Sequence, residues 1–95
     1  MEIIGKLKER MPIQEGSSDQ RGEWIHMSFL VEIETEYPKD VLLTVFNIGR
    51  IHIVKNIKIG ERIKVFANLY SIRSKKDKNK FYTNLTAYRI ERLND

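Results

Sequence analysis

No cysteine occurs among the 95 residues, which excludes disulfides, thiolate metal sites and a cysteine nucleophile and leaves packing to hold the fold. Histidine is nearly absent too. His26 and His52 have no cysteine beside them, so a metal site would need carboxylates at positions that nothing in the sequence marks. No metal or other cofactor is expected. No apolar run approaches the roughly 20 residues of a membrane-spanning helix. The start of the chain lacks the basic segment, apolar stretch and small-residue cleavage site of a secretion signal. A cytoplasmic protein without a membrane partner is expected. The chain also lacks a glycine-rich phosphate cradle and a nucleophile matched to a base, so no enzymatic activity is expected. Repeats, low-complexity tracts and linkers are missing as well, which leaves residues 1–95 as one domain.

What is present describes a folded protein with a basic bias. Hydrophobic residues make up 41% and charged residues 32%, the balance of a chain that buries one core. Seventeen Lys and Arg against thirteen Asp and Glu leave a net charge of +4, which favours a polyanionic partner if the charge is clustered.

The patterning is that of strands. From Glu23 to Thr35 the residues alternate, with Ile25, Met27, Phe29, Val31 and Ile33 on one face. Trp24, His26, Ser28, Glu32 and Glu34 lie on the other, with Leu30 the apolar exception. A weaker alternation over Ile3–Ile13 puts Ile3, Leu7, Met11 and Ile13 inward, and Gly5 permits the bend that a small closed barrel needs. Glu15–Gly22 reads as a flexible loop joining these two strands. After a turn at Tyr37–Asp40, Val41–Asn47 forms a third strand with Leu42, Thr44 and Phe46 outward. Ile48, Ile51, Val54 and Ile57 then recur at helical spacing until Gly60, which allows a short helix.

Arg62–Ser71 alternates again, with Ile63, Val65, Ala67 and Leu69 inward and Arg62, Lys64, Phe66, Asn68 and Tyr70 outward. A charged loop, Arg73–Lys80, leads to a last strand from Phe81 to Leu93, with Leu85 and Ala87 inward and a bulge near Arg89 that returns Ile90 to the inside. Three strands, a short helix and two strands is the order of an all-β, five-stranded Greek-key barrel of the OB type. An SH3-like barrel is the nearest competitor, with a shorter connection and no helix at that point.

Several fragments together resemble a small bacterial family of functionally uncharacterised OB-fold proteins, similar in shape to single-stranded DNA-binding and primosomal replication proteins. They are Glu15-Gly16 after Pro12, Trp24–Thr35, Tyr37-Pro38-Lys39, Gly60–Phe66 and Thr83–Glu91. The resemblance implies the barrel, pairing of two copies, and contact with replication or repair proteins. One departure from the single-stranded DNA-binding proteins is that the sequence stops at Leu93-Asn94-Asp95 without their long acidic-tipped tail. A minimal binding module is expected in place of a replication hub.

In such a barrel a single strand lies across the second and third strands, between two loops. Trp24 and Phe46 fall on that face, and His26 shares it. Phe66 and Tyr70 mix with Arg62 and Lys64 on the outside of the fourth strand. Arg73, Lys75, Lys76, Lys78 and Lys80, diluted only by Asp77, make the following loop basic, with Phe81 and Tyr82 at its base. Rings on a polar face are platforms for base stacking, and lysines release counterions from phosphate. These residues point to a module that binds single-stranded DNA or RNA, DNA preferred, with little sequence preference, and that acts as a homodimer. Each feature has a second reading. Trp24 can cover the barrel end, outward rings can pair across strands or form a protein–protein interface, and the lysines can serve solubility. Glu32, Glu34 and Glu36 read as a solvated acidic end that repels phosphate toward Trp24.

Overall fold

Alternation from Trp24 onward, with Leu30 its exception, makes Gly22–Ile33 the strand around which the rest is arranged. The computed structural model describes residues 1–19 and 22–93. In order it contains β1 (Glu2–Arg10), β2 (Gln14–Ser18), β3 (Gly22–Ile33), β4 (Lys39–Phe46), α1 (Ile48–Lys55), β5 (Arg62–Arg73) and β6 (Phe81–Arg92). β1 pairs antiparallel with both β3 and β5, β3 with β4, and β5 with β6. The ring closes where β4 meets β6 in parallel at Thr44 and Thr86. Five strands in the circuit β1-β3-β4-β6-β5 are an OB barrel.

Two features differ from the sequence expectation. The predicted loop over Glu15–Gly22 contains a sixth strand, because β2 pairs with the first half of β3 from Gln14↔His26 to Ser18↔Gly22. Its Gly and Ser content is turn-like, but an open edge on β3 supplies the hydrogen-bonding partner that overrides propensity. Gln20 and Arg21 of that expected loop, and Asn94-Asp95 of the expected chain end, lie outside the described residues. The short helix accordingly falls between the fourth and fifth of six strands. The second difference is at Leu69, expected inward but 55% exposed. β5 and β6 leave the barrel after Ala67 and continue as a two-stranded ribbon to Arg73 and Phe81, so among the described residues the inward face there has nothing to pack on.

Within the barrel the alternation holds. Met27, Phe29 and Val31 from β3, Leu43 and Val45 from β4, and Ile63, Val65 and Ala67 from β5 are fully buried. Each large side chain contributes about 1.5–3 kcal/mol. Ile51, Val54 and Ile57 from α1 and the turn after it cover one end of the barrel. The Asn47 side chain accepts the Arg50 N–H at 3.0 Å to begin the helix. Past its other end the Arg10 guanidinium donates to the Ile57 carbonyl at 2.6 Å and, at 3.4 Å, to the carbonyl of Val54 in the last turn of the helix.

Gly5 sits where β1 passes from one neighbour to the other, pairing with Ile33 and with Ile63. A Cβ there would stand 2.1 Å from the Glu32 carbonyl oxygen. The expected bulge is found in β6, where Phe66 pairs with Arg89 and Ala67 with Ala87, leaving Tyr88 as the extra residue. No helix among the described residues is long and apolar enough to cross a membrane.

Candidate nucleic-acid interface

Residues two apart on a strand share a face, and opposite residues on the neighbouring strand join them. Trp24 and His26 are stacked on the outside of β3, with ring centroids 5.3 Å apart and planes 12° from parallel. Phe46 of β4 pairs with His26 across the strands, its ring 5.5 Å away. Trp24 and Phe46 remain 36% and 40% exposed. Together the three rings form an open row.

Gly16 of β2 lies opposite Trp24, and a Cβ there would come within 2.5 Å of the indole. The ring therefore rests across the glycine, at the floor of an open groove lined by Glu15, Glu23 and Ile48. His26 is half-buried, with Nδ1 shielded and without a hydrogen-bond partner among the described residues. Beyond the row, the Ser28 and Thr44 hydroxyls bond at 3.0 Å.

At the opposite end of this face the carboxylates are neutralised. Lys8 Nζ lies 3.0 Å from Asp40 and 3.6 Å from Glu32, and these partners raise the Lys8 pKa, the Asp40 hydrogen bond foremost. Arg62 chelates Glu34, with Nη2 to Oε2 at 2.9 Å, and that hydrogen bond holds the Glu34 carboxyl below its ordinary range. The expected acidic end is therefore a set of ion pairs, with Glu36 exposed beside it. Arg62, a predicted phosphate ligand, is engaged by Glu34.

The remaining predicted residues fall into two groups. Lys64 lies 5.3 Å from the Phe66 centroid and 3.5 Å from Glu2. Tyr70 and Tyr82 lie on the outer side of the ribbon, where the Tyr70 hydroxyl accepts from Thr86 at 3.4 Å and Lys80 lies 6.0 Å from the Tyr82 ring. Arg73 lies over Phe81 on the other side. The loop itself is an ordered turn. Ser74 N–H donates to the Lys80 carbonyl at 2.8 Å, and Asp77 Oδ1 accepts from Asn79 N–H at 3.0 Å. Lys75, Lys76 and Lys78 extend from it into solvent.

The structure thus brings Trp24, His26 and Phe46 together and separates them from the basic loop. Thr86 is level with Thr44, and Phe46 lies two residues beyond Thr44 in one direction. Phe81 lies five residues from Thr86 in the other, about 17 Å at the rise of a strand.

Sequence reasoning left out the residues nearer the row. A bulge turns two successive side chains of one strand to the same side, and here Tyr88 and Arg89 both reach Phe66. The Tyr88 ring is 6.3 Å and the Arg89 guanidinium 5.4 Å from the Phe66 centroid. Arg50 Nε donates to the Tyr88 carbonyl at 3.2 Å. The broken alternation before Ile90 was the available signal. Among the described residues no group of three or more His, Asp or Glu is placed to hold a metal ion.

The barrel has close counterparts among solved structures. The mitochondrial single-stranded DNA-binding protein Rim1 of S. cerevisiae aligns with a TM-score of 0.72 at 17% identity, covering 98% of this chain and 92% of that one. The dimeric N-terminal domain of PriB from Thermoanaerobacter tencongensis aligns with a TM-score of 0.64 at 16% identity, covering 100% and 96%. A small single-stranded DNA-binding protein from Streptomyces coelicolor gives 0.51 at 8% identity, covering 98% and 92%. At these identities the likeness establishes the shared OB fold. No curated protein matches the chain in sequence. The match that spans the barrel is to a domain family, over residues 2–91, and the chain belongs to that family, described as a domain of unknown function, DUF3127.

Proposed function

We propose that this chain is a non-enzymatic module that binds single-stranded nucleic acid, DNA in preference to RNA, with little sequence preference. The observation that carries the reading is the open row Trp24–His26–Phe46 on the outer face of β3 and β4. Bases stack on such rings for about 1–3 kcal/mol each, and every base has a face to offer. The carboxylates at the far end of the face are paired with cations, which reduces their repulsion of a polyanion. The fold is shared with proteins described as binding single-stranded DNA. Its likeness to a PriB domain described as dimeric supports a homodimer, in which two short tracks combine.

Titration with oligothymidine tests this. Trp24 is the single tryptophan, so its fluorescence reports on the row alone. Quenching is expected in about 50 mM salt and fades as salt rises, because phosphate binding releases counterions. Absence of binding to either DNA or RNA at that salt refutes the proposal. A second reading, a protein-interaction module, draws on the exposed Leu69, Ile72 and Phe81 of the ribbon. A tight dimer that buries the ribbon and has no affinity for oligonucleotides would support that reading instead.

A further inference from the structure

Phe46 is not where the rings end. Phe46 and Tyr88 each lie two residues beyond the Thr44–Thr86 pair, on adjacent parallel strands. Tyr88 is 45% exposed, and its ring meets Phe66 on the next strand. We propose that Tyr88 and Arg89 are binding residues for the far end of the same single strand, which crosses from β3 over β4 to the bulge in β6. This inference rests on the proposed reading of the outer face as a single-stranded DNA site. It adds where the strand goes.

Three observations support that course. The bulge places a ring and a guanidinium side by side on the outer surface, where regular alternation would have turned one of them inward. Arg50 holds the Tyr88 carbonyl, which fixes the bulge and puts a further positive charge beside it. Lys64 pairs with Glu91 in the β5–β6 register, so it lies in the barrel half of that strand pair, near Arg89. The carboxylates nearby are Glu2, 3.5 Å from Lys64, and Glu91, 2.8 Å from Arg89. Both pairs are partly exposed, and such pairs hold weakly enough to be exchanged for phosphate. The lysines of the loop lie at the other end of β6, so a strand stacked on Trp24 and Phe46 meets Arg89 first.

Oligothymidines of about 4 and about 12 nucleotides, within the span one OB barrel occupies, test the course. Binding is followed by fluorescence anisotropy and by Trp24 quenching. Tyr88→Ala is expected to weaken the longer oligonucleotide by about fivefold or more, the lower end of one stacked base. It should leave the shorter one and its quenching of Trp24 unchanged. Tyr88→Phe, which keeps the ring, should retain affinity, and intact binding of the shorter oligonucleotide by Tyr88→Ala separates a lost contact from a loss of folding. Arg89→Ala lowers the slope of log affinity against log salt by about 0.7, one phosphate contact on a single strand. Replacing Lys75, Lys76 and Lys78 together with alanine changes affinity by less than Tyr88→Ala does. Unaltered binding of the longer oligonucleotide by Tyr88→Ala, with quenching of Trp24 intact, overturns this inference and leaves the binding face standing. So does a larger loss from the triple lysine variant. Failure of the unsubstituted protein to bind any oligonucleotide overturns both.

Discussion

β5 is one strand in two environments. As far as Ala67 its alternate residues are fully buried, and its cations lie outside against carboxylates and a ring. Past Ala67 the same alternation continues, yet Leu69, Tyr70 and Ile72 are all exposed. The difference teaches that alternation specifies which side of a strand a residue occupies and leaves open whether anything covers that side. β1, β3 and α1 close over the first half. In the second half, among the described residues, only β6 is alongside.

The comparison breaks most visibly if the halves are cut back. Phe29→Ala in the barrel should cost about 3–5 kcal/mol, since Phe29 is fully buried. Leu69→Ala should stay within about 0.5 kcal/mol. Urea denaturation measures both. A core-sized loss at Leu69 would show that a partner covers the ribbon in solution.

A smaller effect separates two glycines that admit close approach. Gly5→Ala drives a Cβ against the fixed backbone of β3 and should destabilise by about 1–3 kcal/mol. Gly16→Ala meets the edge of the Trp24 ring instead. The ring should lift, shifting the tryptophan emission and weakening its quenching by oligonucleotide, with a smaller change in the denaturation midpoint than Gly5→Ala causes.

The smallest effect concerns the ion pairs at the start of β5. Hydrogen bonds from Arg62 and Arg92 hold the Glu34 and Glu61 carboxyls below their ordinary values. Folding therefore favours their ionised forms. That contribution is complete above the ordinary glutamate range and is lost as pH falls through the lowered values. Glu34→Gln should accordingly show a slightly smaller drop in Tm between neutral and strongly acid pH than the unsubstituted chain. An equal drop would mean that the Glu34 pair adds nothing, as exposed pairs often do.

Much of the barrel was legible because its signals are local. The period of two in β3 marked Met27, Phe29 and Val31, and helical spacing marked Ile51, Val54 and Ile57. Gly5 marked the close approach of β1 to β3. The placement of Trp24 and Phe46 on one face followed from parity alone. The resemblance drawn from Trp24–Thr35 and the other fragments agrees with the family match and with the barrel's structural neighbours. The illegible parts depend on register between distant segments. Gln14–Ser18 lacks a strand's composition and becomes one only beside β3. Arg62 reads as a free phosphate ligand until its guanidinium meets Glu34, 28 residues away.

The sequence by itself determined the order of the five barrel strands and the helix, the residues facing inward within the barrel, and the chemistry of the open row, because side-chain parity and turn residues act over a few positions. Only the tertiary structure decided that the ribbon leaves the barrel, that His26 lies between two rings, and that the basic loop is remote from Trp24. It also decided that Tyr88 and Arg89 are near Phe66. Those facts depend on which strands become neighbours and where the ring of hydrogen bonds closes, and chain closure is a property of the whole domain.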